Sequence, residues 1–371
     1  MQVSDDVGEE GVKVAVLGGG HGAYAAAADL AEQGHDTALW RRDAEALRPV
    51  IESGAVRLAD AGGARDVPVR GCANIADAVR EADLILMPGP ANAQEDIATA
   101  MAAYLRDGQA VLMPPGSFGT WVVDRTLRRN GCTAKLLFGE SGTLPYLTRK
   151  QPDGSVAIVT RATRLPTGVY PFARADEAFA VFEAAYPAIE RLTDGLDGAL
   201  MNAGPIIHPP LILMNAGPIQ HFDHWDIHNE GTQPAIRAVT DALDAERIAV
   251  REGFGYGAPH FPLADHYDPE REEWMYGQAA HDRLVVSNNW REHLDLSSHR
   301  YMREDVQIGL SFIVSCGRAA GVPTPVAAGL LAIASAALGE DLYATGRTLE
   351  GVGLGGKSVD ELRRIMRDGP A

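Results

Sequence analysis

The stretch from residue 13 to residue 42 constrains the fold more than any other part of the chain. An apolar run over residues 14–17 ends in the glycine-rich turn GGGHGA at residues 18–23, and an alanine-rich helical pattern and a second short strand follow. Such a strand–turn–helix–strand unit with G-x-G-x-x-[GA] is typical of dinucleotide-binding folds. Because the first amides of a helix attract anions, we expect this turn to bind a pyrophosphate.

Each small residue of the turn has a predicted task. Gly18 permits the tight turn, Gly20 allows the backbone to approach the pyrophosphate, and Ala23 lets the helix pack closely on the strand. The helix is expected to begin near His21, so its first amides face the ligand. The predicted cofactor contacts in the turn are therefore Gly18, Gly20, His21, Gly22 and Ala23.

The end of the second strand bears on the kind of dinucleotide. NAD-preferring sites usually place an acid there to bind the ribose 2′-hydroxyl, whereas this strand runs into Arg41 and Arg42. Guanidinium groups suit a 2′-phosphate, so the sequence favours NADP(H) over NAD(H). The alternative is that both arginines are solvated and that Asp43 binds the ribose.

Composition narrows the class of protein. A chain of 371 residues predicts two domains, and a net charge of −17 argues against nucleic-acid binding. The three cysteines show no metal spacing, the N-terminal segment is acidic, and the longest apolar stretch, residues 326–338, is too short to span a bilayer. We therefore expect a cytoplasmic protein with no membrane or nucleic-acid partner.

The first half alternates strand and helix signals. Short apolar runs end at Pro88-Gly89, at Pro114 and at Gly139-Glu140, as expected of parallel strands whose carboxyl ends form a ligand crevice. Residues 154–170 alternate and predict one or two antiparallel edge strands.

The pattern changes after about residue 195. Residues 233–254 and 311–319 have helical periodicity, and residues 255–299 predict irregular helices over a cleft. The predicted fold class is thus α/β, with a Rossmann-type parallel-sheet domain over 11–195 followed by an all-α domain over 196–371. The active site is expected between the two.

His208 is the first candidate for chemistry in the second half. It directly precedes two prolines, so we expect it to be extended and to lead a helix that Pro209 opens. Its imidazole would then face the cleft; the alternative is that it caps or fills the junction between the domains.

Taken together, motifs along nearly the whole chain resemble the opine dehydrogenases, the octopine, nopaline and related N-carboxyalkyl amino-acid dehydrogenases. Several motifs in one order are more specific than any single motif. They are GGGHGA (18–23), LMPPGSFG (112–119), ESGTLPY (140–146), HPP (208–210), NAG (215–217), DAER (244–247), HRY (299–301), EDV (304–306), GVPTP (321–325) and GRTLE (346–350).

The resemblance implies reductive condensation of a 2-oxo acid with an amine or amino acid through an imine. It implies that His208 and Asp305 transfer protons and that Arg300 binds the oxo-acid carboxylate. We further expect a homodimer, with Thr143 in contact with the substrate and Pro88, Gly89 and Glu140 in contact with the cofactor.

Residues 222–230 and 259–290 depart from the family pattern in carrying extra histidine and aromatic residues. Such side chains could line a different amine pocket.

Arg300 and Asp305 lie five positions apart, about 140° around an α-helix, so we expect them to address different partners. The alternative for Arg300 is a surface ion pair with Glu304.

Other readings remain open. An imine reductase acting on ketones and amines or on cyclic imines would need the His–Asp pair but not Arg300. A hydroxyacid or carbonyl reductase of similar plan relies on a lysine in its helical domain, and no lysine lies between Lys150 and Lys357. A catalytically silent NADP(H) sensor would need only the glycine turn. His221, His224 and His228 have the spacing of one helical face, which allows a zinc site, although we expect no metal because hydride transfer needs none.

Overall fold

The structure, a computed structural model, describes residues 11–271 and 274–369. The strands are β1 (Lys13–Leu17), β2 (Asp36–Trp40), β3 (Ala55–Asp60), β4 (Gly63–Pro68), β5 (Arg70–Cys72), β6 (Leu84–Leu86), β7 (Ala110–Met113), β8 (Leu137–Ser141), β9 (Tyr146–Lys150), β10 (Val156–Arg161), β11 (Leu165–Tyr170) and β12 (Ile189–Asp194). The acidic N-terminal segment and the last two residues of the predicted helical domain lie outside the described residues.

Helices connect these strands and make up most of the second half. The α-helices are α1 (His21–Glu32), α2 (Arg48–Ser53), α3 (Ile75–Val79), α4 (Gln94–Met101), α5 (Gly119–Arg129), α6 (Ala175–Ala185), α7 (Gly195–Leu200), α8 (Gly204–Leu213), α9 (Ala216–His221), α10 (Pro234–Gly253), α11 (Ala280–Ser287), α12 (Ser311–Ala320), α13 (Pro325–Leu338), α14 (Leu342–Thr345) and α15 (Val359–Asp368). Short 3₁₀ turns span Glu45–Leu47, Ala91–Ala93, Ala102–Tyr104, Phe172–Arg174 and Leu263–Tyr267, and a π-helix spans Tyr301–Leu310.

The main sheet confirms the predicted fold class. Its eight strands run in the order β12-β11-β8-β7-β6-β1-β2-β5, and all neighbours are parallel except β8 and β11. Alternate residues of β1 face opposite sides: Val14 and Val16 pack with α1, whereas Ala15 and Leu17 face the other core. Strands buried on both faces read as continuous apolar runs, which is why these strands were recognisable in the sequence.

A second sheet was not predicted. It has the order β4-β3-β10-β9, and it covers the outer side of α1. Residues 154–170 therefore do not form edge strands of one sheet: β10 belongs to the second sheet, and β11 lies inside the first, between β8 and β12. Because α1 lies between two sheets, residues 22–30 of this helix are all buried, and small alanine side chains allow both sheets to approach.

The helical half packs around its own apolar core, to which α8, α10, α13 and the π-helix contribute. The π-helix lies close against α8, since a Cβ on Gly309 would collide with the Pro205 ring. No helix among residues 11–271 and 274–369 is both long and apolar enough to cross a membrane. The domain boundary at residue 195 remains a prediction; the last strand, β12, ends one residue before it.

Candidate active site

A cavity of about 240 Å³ lies at the carboxyl ends of the parallel strands, where the sheet meets α8 and the π-helix. Ligands of open parallel sheets bind in this position. The predicted site residues that line it are Gly20, His21, Gly22, Pro88, Gly89, Thr143, His208, Arg300 and Asp305.

The glycine turn has the form that a pyrophosphate requires. Helix α1 begins at His21, and its N-cap residue Gly20 supplies no side chain to cap the first amides. A Cβ on Gly20 would meet no atom within 4 Å, so the space beside the turn is open, whereas at Gly18 a Cβ would lie 3.1 Å from Ala23. Open space beside uncapped helical amides fits the phosphates of a dinucleotide.

The two arginines after β2 lie in different places. The Arg41 guanidinium lies across the glycine turn, where a Cβ on Gly19 would be 2.8 Å from its Nε atom. Arg42 is exposed and forms an ion pair with Asp96 at 2.7 Å. The structure therefore leaves Arg41, rather than both residues, beside the turn.

Lys150 is a cation at the turn that was not recognised in the sequence. At the end of β9, its Nζ donates to the Gly19 carbonyl at 3.0 Å and lies 3.2 Å from the centre of the Tyr24 ring. Burial, with a smaller effect from Arg41, lowers the Lys150 pKa to about 8. Only four lysines occur in the chain, but their scarcity does not show that β9 would cross the turn.

His21 is fixed by the same strand. Its Nδ1 accepts the Lys150 amide at 2.8 Å. Burial, followed by the charge of Arg149, lowers the His21 pKa to about 4. His21 is therefore a neutral residue at the start of α1.

Glu140 does not lie where the sequence predicted. Its carboxylate is fully buried and accepts the Phe118 amide at 2.7 Å and the Thr120 hydroxyl at 2.6 Å. It stabilises the loop after β7 instead of facing the cavity, so we correct the prediction that it contacts the cofactor. Thr143 does line the cavity, and its hydroxyl lies 2.8 Å from the Tyr276 hydroxyl.

His208 and Asp305 form a buried pair. The His208 Nδ1 lies 2.7 Å from the Asp305 Oδ2, and the imidazole stacks on Tyr301 with ring centres 3.9 Å apart. A Cβ on Gly204 would collide with Asp305, so the first residue of α8 must be small. With Nδ1 bound and the ring stacked, the Nε2 atom is the one left for a ligand in the cavity.

The local structure of His208 differs from the prediction. We expected an extended residue leading a helix, but α8 begins at Gly204 and continues through Pro209 and Pro210. Pro205 takes the first-turn position that Pro209 was expected to fill. A proline disfavours the helical conformation of the residue before it but does not exclude that conformation.

Burial makes both members of the pair favour their uncharged forms. It raises the Asp305 pKa to about 7, and it lowers the His208 pKa well below its ordinary value, with help from Arg300. A neutral imidazole can accept a proton, and Asp305, when ionised, can stabilise the imidazolium that forms. Because burial disfavours the imidazolium, a proton that His208 accepts is also readily released.

The π-helix brings Arg300 and Asp305 to one cavity. Bonds from i to i+5 place a residue near its fifth neighbour, so the predicted separation of 140° does not hold. The Arg300 guanidinium lies 4.7 Å from the Tyr301 ring centre and 3.9 Å from the Glu304 carboxylate. The Arg300 side chain is half exposed. Because its ion pair with Glu304 is long, the N–H donors at the edge of the guanidinium remain available to a carboxylate.

The cavity extends beyond the pair into an aromatic chamber, formed by His228, His266, Trp274, Leu284 and Trp290. Arg149 borders this chamber and is paired with Glu292 at 2.6 Å. The segments between α9 and the π-helix supply these side chains, and Leu284 belongs to α11. The sequence indicated that the extra histidine and aromatic residues of 222–230 and 259–290 could line an amine pocket, and the four aromatic and histidine side chains of the chamber come from those ranges. Arg149 did not stand out in the sequence, because no local motif contains it.

Comparisons with known proteins agree with this arrangement. The family described as NAD/NADP octopine/nopaline dehydrogenase, alpha-helical domain, matches residues 192–338, and the family described as NAD-dependent glycerol-3-phosphate dehydrogenase N-terminus matches residues 13–133. An opine dehydrogenase from Arthrobacter sp. (strain 1C) is 28% identical over 95% of this chain and 98% of its own length. Together these matches support the opine dehydrogenase family for this chain. They indicate an NAD(P)-dependent oxidoreductase that acts on CH–NH bonds.

Solved structures agree on the fold. Octopine dehydrogenase with NADH and L-arginine has a TM-score of 0.67 at 18% identity and covers 97% of this chain and 99% of its own. Yersinopine dehydrogenase with NADP⁺ has a TM-score of 0.64 at 16% identity, covering 96% and 98% of the two chains. A ketopantoate reductase from Ralstonia eutropha JMP134 has a TM-score of 0.57 at 20% identity, covering 87% and 97%.

Some motifs shared with the family hold the structure together. Arg247 pairs with Asp244 at 2.6 Å, and the Asp244 carboxylate accepts the Leu263 amide at 2.7 Å. Glu246 accepts the Val326 amide at 2.7 Å and so caps the start of α13. These contacts position the segments around the cavity without lining it.

The three spaced histidines do not share one helical face. His221 and His224 are exposed, whereas His228 is buried in the cavity. Within residues 11–271 and 274–369, no group of three or more His, Cys, Asp or Glu side chains could hold a metal ion. The zinc alternative therefore has no geometric support in the described part of the chain.

Proposed function

We propose that this protein acts as an opine dehydrogenase and joins a 2-oxo acid to the amino group of an amino acid through an imine, with His208 as the proton-transfer residue. The observation that carries the proposal is the 2.7 Å His208–Asp305 pair, in a cavity shared with Arg300 and the glycine turn. Asp305 fixes the imidazole and stabilises its charge, so it acts as the positioning residue.

The proton steps follow from the geometry of the pair. His208 Nε2 accepts a proton from the substrate ammonium, which frees the nitrogen lone pair to attack the oxo carbon. The attack gives a carbinolamine once a proton has moved from the new C–N nitrogen to the former oxo oxygen. The imidazolium then donates its proton to the carbinolamine hydroxyl group, which leaves as water when the C=N bond forms. A reduced nicotinamide, when bound, supplies the hydride that reduces the imine carbon.

Arg300 would bind the oxo-acid carboxylate. Its guanidinium borders the same cavity as Asp305 and has only a 3.9 Å ion pair with Glu304. A carboxylate bound by two parallel hydrogen bonds has a fixed orientation, which determines the imine face presented to the hydride donor.

NADP(H) is the cofactor we propose to be preferred. Arg41 and Lys150 lie beside the glycine turn, and no acid ends β2. Arg42 contributes less than the sequence suggested, because it is paired with Asp96. Among the fold neighbours, octopine dehydrogenase is described with NADH and yersinopine dehydrogenase with NADP⁺, so the choice depends on this chain's own residues.

The proposed reaction is tested by amine dependence. Purified enzyme is given NADPH and glyoxylate or pyruvate, with and without amino acids, and NADPH oxidation is followed together with the product mass. We expect oxidation only when an amine is present. Equal oxidation without amine would contradict the proposal and favour a carbonyl reductase.

Arg300→Lys separates the proposal from an imine reductase that accepts plain ketones. An ammonium cannot replace the planar guanidinium, so activity on oxo acids should fall. Arg303→Lys is a matched control, because Arg303 lies in the first turn of the π-helix that Arg300 precedes, but pairs with Glu340 at 2.7 Å. Equal use of oxo acids and simple ketones by the unmodified enzyme would favour the imine reductase.

The homodimer and the cytoplasmic location remain proposals taken from the sequence and the resemblance. Light scattering after size-exclusion chromatography tests the first: twice the mass of 39.5 kDa is expected, and a single-chain mass would contradict it. Cell fractionation tests the second.

A further inference from the structure

We propose that the aromatic chamber binds the side chain of an uncharged aromatic amino acid whose ring carries a hydrogen-bonding group, with His228 and His266 as its partners. The inference deepens the proposed function, because it names the class of amino acid that the enzyme condenses. It depends on three independent properties of the chamber: unpaired polar atoms, ring-lined walls and charge.

Unpaired polar atoms are the first property. His266 is 4% exposed, and neither of its ring nitrogens has a hydrogen-bond partner among the described residues; the same is true of Nδ1 of His228, which is 3% exposed. Both side chains line the cavity. Buried polar groups are normally hydrogen-bonded, so unpaired nitrogens on side chains that line a cavity point to a ligand that completes them.

The walls of the chamber are the second property. The Trp274 ring centre lies 5.7 Å from that of His266, and the Trp290 ring centre lies 6.3 Å from that of His228. Leu284 adds an aliphatic contact. Flat rings with apolar faces pack an aromatic side chain well, and aromatic pairs at such distances attract each other beyond simple burial.

The chamber also lies in the right place for a side chain. The rings of His228 and His208 are 5.9 Å apart, so a substrate whose nitrogen is at His208 can extend its side chain past His228. The chamber thus continues the reaction site instead of forming a separate pocket.

Charge is the third property. Arg149 and Arg300 border the cavity, and the carboxylate Glu292 that faces Arg149 is already paired with it. The other cavity carboxylates, Glu304 and Asp305, are engaged with the Ala91 amide and with His208. Among the described residues that line the cavity, a cationic side chain would therefore meet two guanidinium groups and no carboxylate without a partner. Burial lowers the pKa values of His228 and His266 and keeps both rings neutral, which suits an uncharged group.

L-tyrosine and L-phenylalanine are matched substrates for the test, since they differ by one hydroxyl group. With pyruvate and NADPH, we expect the kcat/KM of the unmodified enzyme to be about tenfold or more higher for tyrosine, and L-arginine to be poorer than either. A site built to bind a hydroxyl discriminates strongly, because its polar groups remain unpaired with the other substrate. This comparison requires no variant to fold.

Variants then assign the residues. His266→Phe, alone and with His228→Phe, keeps a ring but removes the hydrogen-bonding atoms, so the tyrosine-to-phenylalanine ratio should fall towards one. His224→Phe is the control, because His224 is exposed in the segment that carries His228. An unchanged ratio in the double variant would overturn the assignment.

Binding is measured separately so that the two proposals can fail independently. With NADP⁺ present and no oxo acid, the concentration of each amino acid that quenches half of the tryptophan fluorescence is determined. Tyrosine binding more tightly than phenylalanine without any turnover would support the chamber and contradict the proposed reaction. If the enzyme turned over and bound tyrosine and phenylalanine equally well, the inference would be contradicted. The unpaired nitrogens of His228 and His266 would then be hydrogen-bonded by water and not by the substrate. A preference for arginine would also overturn it.

Discussion

The two ends of the cavity differ in whether their histidines have hydrogen-bond partners. At the reacting end, His208 has one nitrogen bound by Asp305 at 2.7 Å and its ring stacked on Tyr301. In the aromatic chamber, His266 is more deeply buried than His208, and neither of its nitrogens has a partner among the described residues. A paired histidine has a fixed orientation, as proton transfer requires, whereas an unpaired one retains donors and acceptors for a ligand. The comparison suggests that the first end determines rate and the second determines which amine is used.

The largest effect is expected at the reacting end. His208→Ala removes the group that moves protons, so kcat should fall by about 10²–10⁴-fold. Binding of NADPH, followed by fluorescence titration, should remain. His266→Phe should lower kcat with the best substrate far less than His208→Ala does. Equal losses of kcat in the two variants would contradict the distinction between the reacting end and the aromatic chamber.

The members of the pair should not act independently. Asp305→Asn acts through His208, so the double variant should lose little more than His208→Ala alone. Steady-state kinetics of the two single variants and the double variant measure this. Losses of kcat that multiply fully would contradict a shared role.

Arg300→Ala should have the next largest effect. A charge-assisted hydrogen-bonded contact is worth about 1.5–3 kcal/mol, so kcat/KM for the oxo acid should fall roughly 10- to 150-fold. The KM for the amino acid should change much less. A loss below about threefold would show that Arg300 does not bind the carboxylate, and the reacting end would then resemble that of an imine reductase.

A smaller effect is expected at the glycine turn. Lys150→Met or Arg41→Ala should weaken NADPH binding about tenfold, the scale of one lost phosphate contact, and leave NADH nearly unchanged. Arg42→Ala is the control, because that side chain is exposed and paired with Asp96. If the binding of NADPH and of NADH weakened equally, these cations would not be in contact with the 2′-phosphate.

The smallest predicted effect is a pH dependence. The Lys150 pKa is lowered to about 8, so its ammonium is present below that pH and is lost as pH rises through it. The kcat/KM for NADPH reports groups of the free enzyme and should decline above about pH 8. Lys150→Arg should extend the plateau to higher pH, because guanidinium does not deprotonate there. The same decline in Lys150→Arg would assign it to another group.

Local and distant parts of the site differed in how well the sequence predicted them. The glycine turn lies within residues 13–42, and its spacing alone indicated β1, α1 and β2. Strand β7 and helices α10 and α12 were close to their predicted ranges, because buried strands and amphipathic helices carry their own periodicity.

The rest depends on contacts that no local pattern contains. The chamber combines His228, His266 and Trp290 from irregular segments, and Lys150 reaches the glycine turn through the unpredicted second sheet. The π-helix changed the relation of Arg300 to Asp305, because a sequence spacing gives an angle only after the type of helix is known.

The most direct test of the reaction site uses NADPH carrying deuterium at the transferred position, with pyruvate, L-tyrosine and the unmodified enzyme. We predict one secondary amine per NADPH consumed, with the deuterium on the carbon that was the oxo carbon of pyruvate and no consumption without tyrosine. Deuterated lactate, formed equally with and without the amino acid, would contradict the account.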